Sequence, residues 1–73
     1  MTLNEARPGM MVKIEQIENS LIKGRLMSMG IINGAKVKVL RSAPCGDPMA
    51  VSVRSAVLAL RLADASKIKV SKL

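Results

Sequence analysis

The chain has no phenylalanine, tyrosine, tryptophan or histidine. Without aromatic rings the core must be built from Val, Ile, Leu and Met. The stacking platform from which single-strand nucleic-acid binders draw much of their affinity is missing too. Without imidazole there is no Ser-His or Cys-His nucleophile pair and no histidine metal ligand. The single cysteine, Cys45, excludes an internal disulfide and fits a reducing compartment. The five carboxylates (Glu5, Glu15, Glu18, Asp47 and Asp64) lack the paired spacing of a cation-binding loop. Cys45 and Asp47 alone do not make a metal site. Gly30, Gly34 and Gly46 match neither GxGxxG nor GxxxxGK, so turn geometry is their reading. No apolar run approaches the ~20 residues that span a bilayer, and MTLNEARPG lacks a signal-peptide hydrophobic region. An enzyme is not expected, nor a resident cofactor, nor membrane insertion, and the expected location is cytoplasmic.

The 73 residues are 49% hydrophobic, enough for one small folded domain over 1–73. Six methionines would make its core comparatively pliable. The formal net charge is +7. It suits nucleic acid, anionic headgroups or an acidic protein partner, or simply lysines covering the outer faces of strands. Lys36 and Lys38, then Lys67 and Lys69, sit at alternate positions, which favours the plainer account.

The stretch 36–62, KVKVLRSAPCGDPMAVSVRSAVLALRL, organises the rest. Val37 and Val39 alternate with Lys36 and Lys38, the pattern of a half-buried strand. The loop 43–48 contains Pro44, Gly46 and Pro48 and must turn the chain. Met49, Val51 and Val53 share one face of the next strand. Leu58, Leu60 and Leu62 share one face of a third.

Upstream, Arg7-Pro8-Gly9-Met10 predicts a type II turn. Residues 11–17 predict a strand with Val12 and Ile14 inward, and the broken parity at Ile17 predicts a bulge near Gln16. Residues 20–29 predict a helix capped by Asn19 or Ser20, with Ile22, Leu26 and Met29 on one stripe and Gly30 ending it. Met27 falls off that stripe beside Lys23, as a contact point for a partner or a marginal residue against a loop. Asn33-Gly34 predicts a turn. Residues 63–66 predict one helical turn, and Ile68 and Val70 a last strand. The sum is a mainly β, five-stranded small barrel, with one helix between the first and second strands and a short helical turn before the last. Closing the barrel would remove exposed edges.

These pieces resemble the small ferrous iron transport protein A (FeoA) domain over essentially the whole chain. The likeness rests on Arg25-Leu26 followed by Met29-Gly30, then Gly34 before the alternating valines. Ala43-Pro44 with Gly46-Asp47-Pro48 comes next, then Leu58-Ala59-Leu60-Arg61 and Ile68-Lys69-Val70. The chain departs at Gly24, where a second basic residue often precedes Arg25. It departs again at Asn33, where Pro is frequent, and at Ser55, where many members carry Gly. The resemblance implies an SH3-like barrel and a cytoplasmic accessory protein of bacterial ferrous iron uptake, held peripherally at the inner face of the membrane through its partner. That partner is the permease with a cytosolic GTPase domain, ferrous iron transport protein B. Family-level transition metal binding is implied as well, and similar domains are fused to metal-dependent repressors.

The expected partner interface is Lys23, Met27, Arg41, Pro44, Cys45, Asp47, Pro48, Arg54 and Arg61, taken as one neighbourhood of loop, helix and third strand. Pro44 and Pro48 would pre-order the loop. Arg41 and Arg54 are expected near it, as the better placed of the arginines to act on a GTPase. Leu26, Met29, Leu58 and Leu60 are expected in the core. The alternatives are a basic barrel binding nucleic acid and a metal-sensing adaptor with a Cys45 or carboxylate site between chains. Self-association is open in each case.

Overall fold

Alternation along strand β1 (Met11–Ile17) buries Val12 and Ile14 and turns Lys13 and Glu15 outward. Ile17 is also buried, although two residues separate it from Ile14. A register shift between Ile14 and Gln16 returns it to the inner face, which is the expected bulge. In the computed structural model residues 1–42 and 46–73 are described, so Ala43, Pro44 and Cys45 lie outside the described residues.

The remaining strands are β2 (Lys36–Ser42), β3 (Met49–Val53), β4 (Ala56–Leu60) and β5 (Ile68–Lys72). All pairings are antiparallel, in the order β4-β3-β2-β1-β5. Helix α1 (Lys23–Ser28) joins β1 to β2, and the short α2 (Leu62–Ala65) joins β4 to β5. Inward residues of every strand meet in one cluster with Leu3, Leu26, Ile31 and Ala65, and no polar or charged residue is buried as a whole among the described residues. Met49 is the one methionine among the buried residues. Met10 and Met29 pack partly buried against the cluster, so the six methionines contribute less to the core than their number suggests, because the strand alternation fills the centre with Val and Ile.

The turns follow their local chemistry. Met10 N–H donates to the Arg7 carbonyl (3.0 Å) and Gly9 has φ +90, as a type II turn requires. Ala35 N–H donates to the Ile32 carbonyl (3.0 Å) around Asn33-Gly34, where Gly34 has φ +88. Helix α1 ends in a Schellman arrangement: Ile31 N–H reaches the Leu26 carbonyl at 3.0 Å, Gly30 N–H reaches that of Met27 at 3.1 Å, and Gly30 has φ +96.

Three expectations change. Helix α1 starts at Lys23, with Ile22 in the N-cap position and no capping side chain. The Ser20 carbonyl instead accepts the Lys23 N–H at 3.2 Å, so 20–23 is a turn, and the Ser20 Oγ is buried without a partner. Capping preference is a weak local signal that tertiary packing overrides. Strand β4 stops at Leu60, because Arg61 becomes the extended residue (φ −68, ψ 144) that opens α2 and sends Leu62 into that helix.

Finally, the N-terminus is more than a lead-in. Residues Leu3–Glu5 form a 3-10 turn with Leu3 fully buried, and Thr2 N–H donates to the Glu5 carboxylate at 2.8 Å. The Thr-x-x-Glu spacing was its signal.

Hydrogen bonding runs in a line rather than a ring, so the barrel is partly open. The outer edge of β5 is covered by the N-terminus. Val70 N–H donates to the Met1 carbonyl (2.8 Å), and Thr2 bridges antiparallel to Lys69. Beyond its ladder with β3, β4 has no backbone partner among the described residues.

Candidate docking site

The sequence of β4 is Ala-Val-Leu-Ala-Leu, with no charge and no proline. Ala56, Val57 and Ala59 are exposed, Val57 at 68%, while Leu58 is half-buried and Leu60 is buried. The strand is entered through a two-residue turn, Arg54-Ser55, in which both residues have positive φ (50° and 71°). This is the tight hairpin connection that Gly, Asn or Asp usually fill.

Between β4 and α1 runs a groove of about 160 Å³. Ile22, Leu26 and Met29 form its helix wall, and Ala59 and Leu60 its strand wall. Arg25, Arg61 and Asp64 also line it. Arg61 and Asp64 form the one ion pair among the described residues, at 3.6 Å, with the Arg61 side chain still 76% exposed. Asp47 belongs to this neighbourhood, since its Oδ1 accepts the Leu62 N–H at 3.0 Å and ties the end of the 43–48 loop to the start of α2. Pro48 is exposed beside it.

The structure divides the expected interface. Lys23 and Met27 line a second groove, about 530 Å³, with Gln16, Ile17, Ile32 and Asn33. They do not line the β4 groove, because a helix turns side chains four residues apart onto one face and those two share the opposite flank from Arg25 and Met29. Arg41 pairs across from Ala50, close to the 43–48 loop. Arg54 does not, and its expected place there is corrected. It follows Val53 at the far end of β3, and strand rise of about 3.3 Å per residue carries it away. Pro44 and Cys45 fall outside the described residues. Of the residues expected in the core, Leu26 and Leu60 are buried, whereas Met29 and Leu58 pack half-buried against it. The strand 58–61 was part of the expected neighbourhood, whereas Ile22 and Arg25, which line the β4 groove, and Ala56 and Val57 were not among the expected interface residues. Their one signal was an uncharged strand at the end of a sheet order that pattern does not disclose.

On the outer sheet face Lys13 lies directly across from Lys36, with Lys38 next along β2. Like charges set opposite each other are unfavourable unless an anion lies over them. No group of three or more His, Cys, Asp or Glu is placed to hold a metal ion among the described residues. No helix among them is long and apolar enough to cross a membrane.

The FeoA domain family model matches residues 1–72. The chain belongs to the FeoA family. Its membership links it to ferrous iron transport and makes its fold the SH3-like one of that family. The solution structure of iron(II) transport protein A from Clostridium thermocellum aligns with a TM-score of 0.95 at 28% identity, over all of this chain and 46% of that one. The FeoA protein from Chlorobium tepidum aligns at 0.94 and 36% identity, covering 100% of this chain and 70% of that one. Stenotrophomonas maltophilia FeoA, solved with zinc and described as a unique procaryotic SH3 domain protein, aligns at 0.86 and 29% identity over 97% and 89% of the two chains. No curated protein sequence matches the chain.

Proposed function

We propose that this FeoA-family chain is a non-enzymatic, cytoplasmic accessory module of ferrous iron uptake. It docks on the cytosolic part of the GTPase-containing permease, ferrous iron transport protein B. The observation that carries this reading is the match of the FeoA domain to residues 1–72, nearly the whole chain. The surface supports it: a charge of +7 suits an acidic partner, and the groove between α1 and β4 joins apolar walls to an arginine rim. Ferrous iron is the cargo of the assembly in this reading. Titrating the chain into the purified cytosolic domain of the permease tests it, with GTP hydrolysis followed in the same titration. Saturable binding that survives moderate salt is expected, and the hydrolysis rate then reports activation or restraint. Binding that collapses with salt as phosphate contacts do, and transfers to nucleic acid, would favour the lysine face of β1 and β2 instead.

A further inference from the structure

We infer that the outer edge of β4 is a strand-addition site for an extended, acid-flanked segment of a partner protein. The inference deepens the docking reading above by naming the edge that is used and what the partner must present to it.

An open edge strand offers a row of unpaired N–H and C=O groups, and folded proteins normally blunt it with lysine, proline or a bulge. In this fold one edge is blunted and the other is not. The N-terminal segment covers β5 through the Val70 N–H to Met1 carbonyl bond (2.8 Å) and the Thr2–Lys69 bridge. Nothing described covers β4, its five residues carry no charge, and its register with β3 runs from Met49–Leu60 to Val53–Ala56 without a bulge. Among the described residues the edge is therefore unbulged, uncharged and uncovered.

A place for side chains lies beside it. Alternate side chains of an added strand point to one face of the sheet. Those on the inner face would continue the row of Leu58 and Leu60 into the groove walled by Ile22, Leu26 and Met29. Main-chain bonds then supply affinity and the groove selects apolar side chains, as in other strand-addition sites.

Charge selects the flanks. Arg54 precedes β4, Arg61 follows it, and Arg25 stands in the groove. Asp64, paired with Arg61 at 3.6 Å, lines the groove too, and Asp47 lies beside the start of α2, while the Arg61 side chain stays 76% exposed. Acidic residues at both ends of the incoming segment would meet arginine at both ends of the strand. The same arginines disfavour a second copy of this chain. Antiparallel pairing centred on Leu58 brings Arg54 of one copy beside Arg61 of the other at each end, between molecules that each carry +7.

The test is an amide NMR titration of the intact protein with a synthetic peptide of alternating valine and threonine, bearing aspartates at both ends. Saturable shifts over Ala56–Leu60 and the groove face of α1 are expected, with slowed exchange of β4 amides. N-methylating alternate peptide nitrogens, which leaves the protein untouched, is expected to weaken binding about tenfold or more. Replacing the aspartates by lysines, or introducing Arg54→Gln with Arg61→Gln, is expected to weaken it by a similar factor. Shifts confined to the Lys23–Met27 groove or the lysine face would overturn the inference. So would indifference to N-methylation, lack of saturation at millimolar peptide, or dimerisation through β4 without peptide. The permease domain separates the two readings. Its binding with β4 amides unaltered overturns the edge inference alone. Peptide binding at β4 without any permease binding sustains the edge inference and overturns the partner named above.

Discussion

The two ends of the sheet are treated differently by one short chain. At β5 the residues before β1 fold back: a 3-10 turn pins Leu3 in the core and sets Met1 and Thr2 along the strand. At β4 the chain turns away at Arg61 into α2 and leaves the strand facing solvent. The direction of the anchored segment is what separates them. Leu3 contributes apolar burial that offsets the entropy of ordering the N-terminal segment along β5, whereas the residues after β4 bury Ala65 in α2 and lead on to β5 rather than back along β4. An uncovered edge is tolerable when it is short, and at five residues β4 is short. A small barrel can thus keep one edge in reserve while closing the other.

The largest expected effect comes from removing what anchors each edge. Leu60→Ala should cost roughly 2–5 kcal/mol, because Leu60 is buried at the inner face of β4. Leu3→Ala should cost a similar roughly 2–5 kcal/mol and also speed exchange of the Val70 amide, as the N-terminal segment lifts from β5. Denaturant melts with exchange rates check both. An unchanged Val70 rate in the Leu3 variant would show that the covered edge does not depend on its anchor.

Gly30→Ala should be next, at more than about 1 kcal/mol. Gly30 has φ +96, and an added Cβ would approach Val53 Cγ1 at 3.3 Å, beside the hairpin that delivers β4. In the opposite direction, Ser55→Gly should stabilise by about 0.5–1 kcal/mol, since φ +71 is unfavourable for serine and free for glycine. Thermal melts of the two variants should move apart, and a gain from Ser55→Gly with unchanged peptide binding would show that hairpin strain is separate from docking.

The smallest effect concerns pH at the covered edge. The backbone N–H and hydroxyl of Thr2 hold the Glu5 carboxyl below its ordinary range. A lowered folded-state pKa adds stability that is present above the unfolded value and lost as pH falls through the folded one. Protection of the Val70 amide, its exchange rate taken relative to the intrinsic rate at the same pH, should therefore fall on acidification in the parent and depend less on pH in Glu5→Gln, while β4 amides behave alike in both.

Much of this was readable from residue order. Period-two alternation located all five strands, and the parity break at Ile17 located the bulge in β1. Pro8-Gly9 and Asn33-Gly34 marked turns that Gly9 and Gly34 complete with positive φ. The start of α1 was misread because Asn19 and Ser20 are good caps in isolation, and the chain uses Ser20 for a turn instead. Around the β4 groove, Arg61 was among the residues the sequence singled out, as were Asp47 and Pro48 beside it. Arg25 and Met29 were not linked to β4, because helix and strand are far apart in sequence.

Which residues of β1, β2, β3 and β5 face inward, and where the bulge in β1 falls, were decided by the sequence alone. Each depends on spacing within a few residues, where side-chain direction is set by backbone period. Tertiary structure alone decided which edge is covered, which arginines bracket the open one, and which side of α1 meets it. Those outcomes depend on contacts between distant segments, Thr2 with Lys69 or Asp47 with Leu62, and on the burial of Leu3 that holds one of them in place.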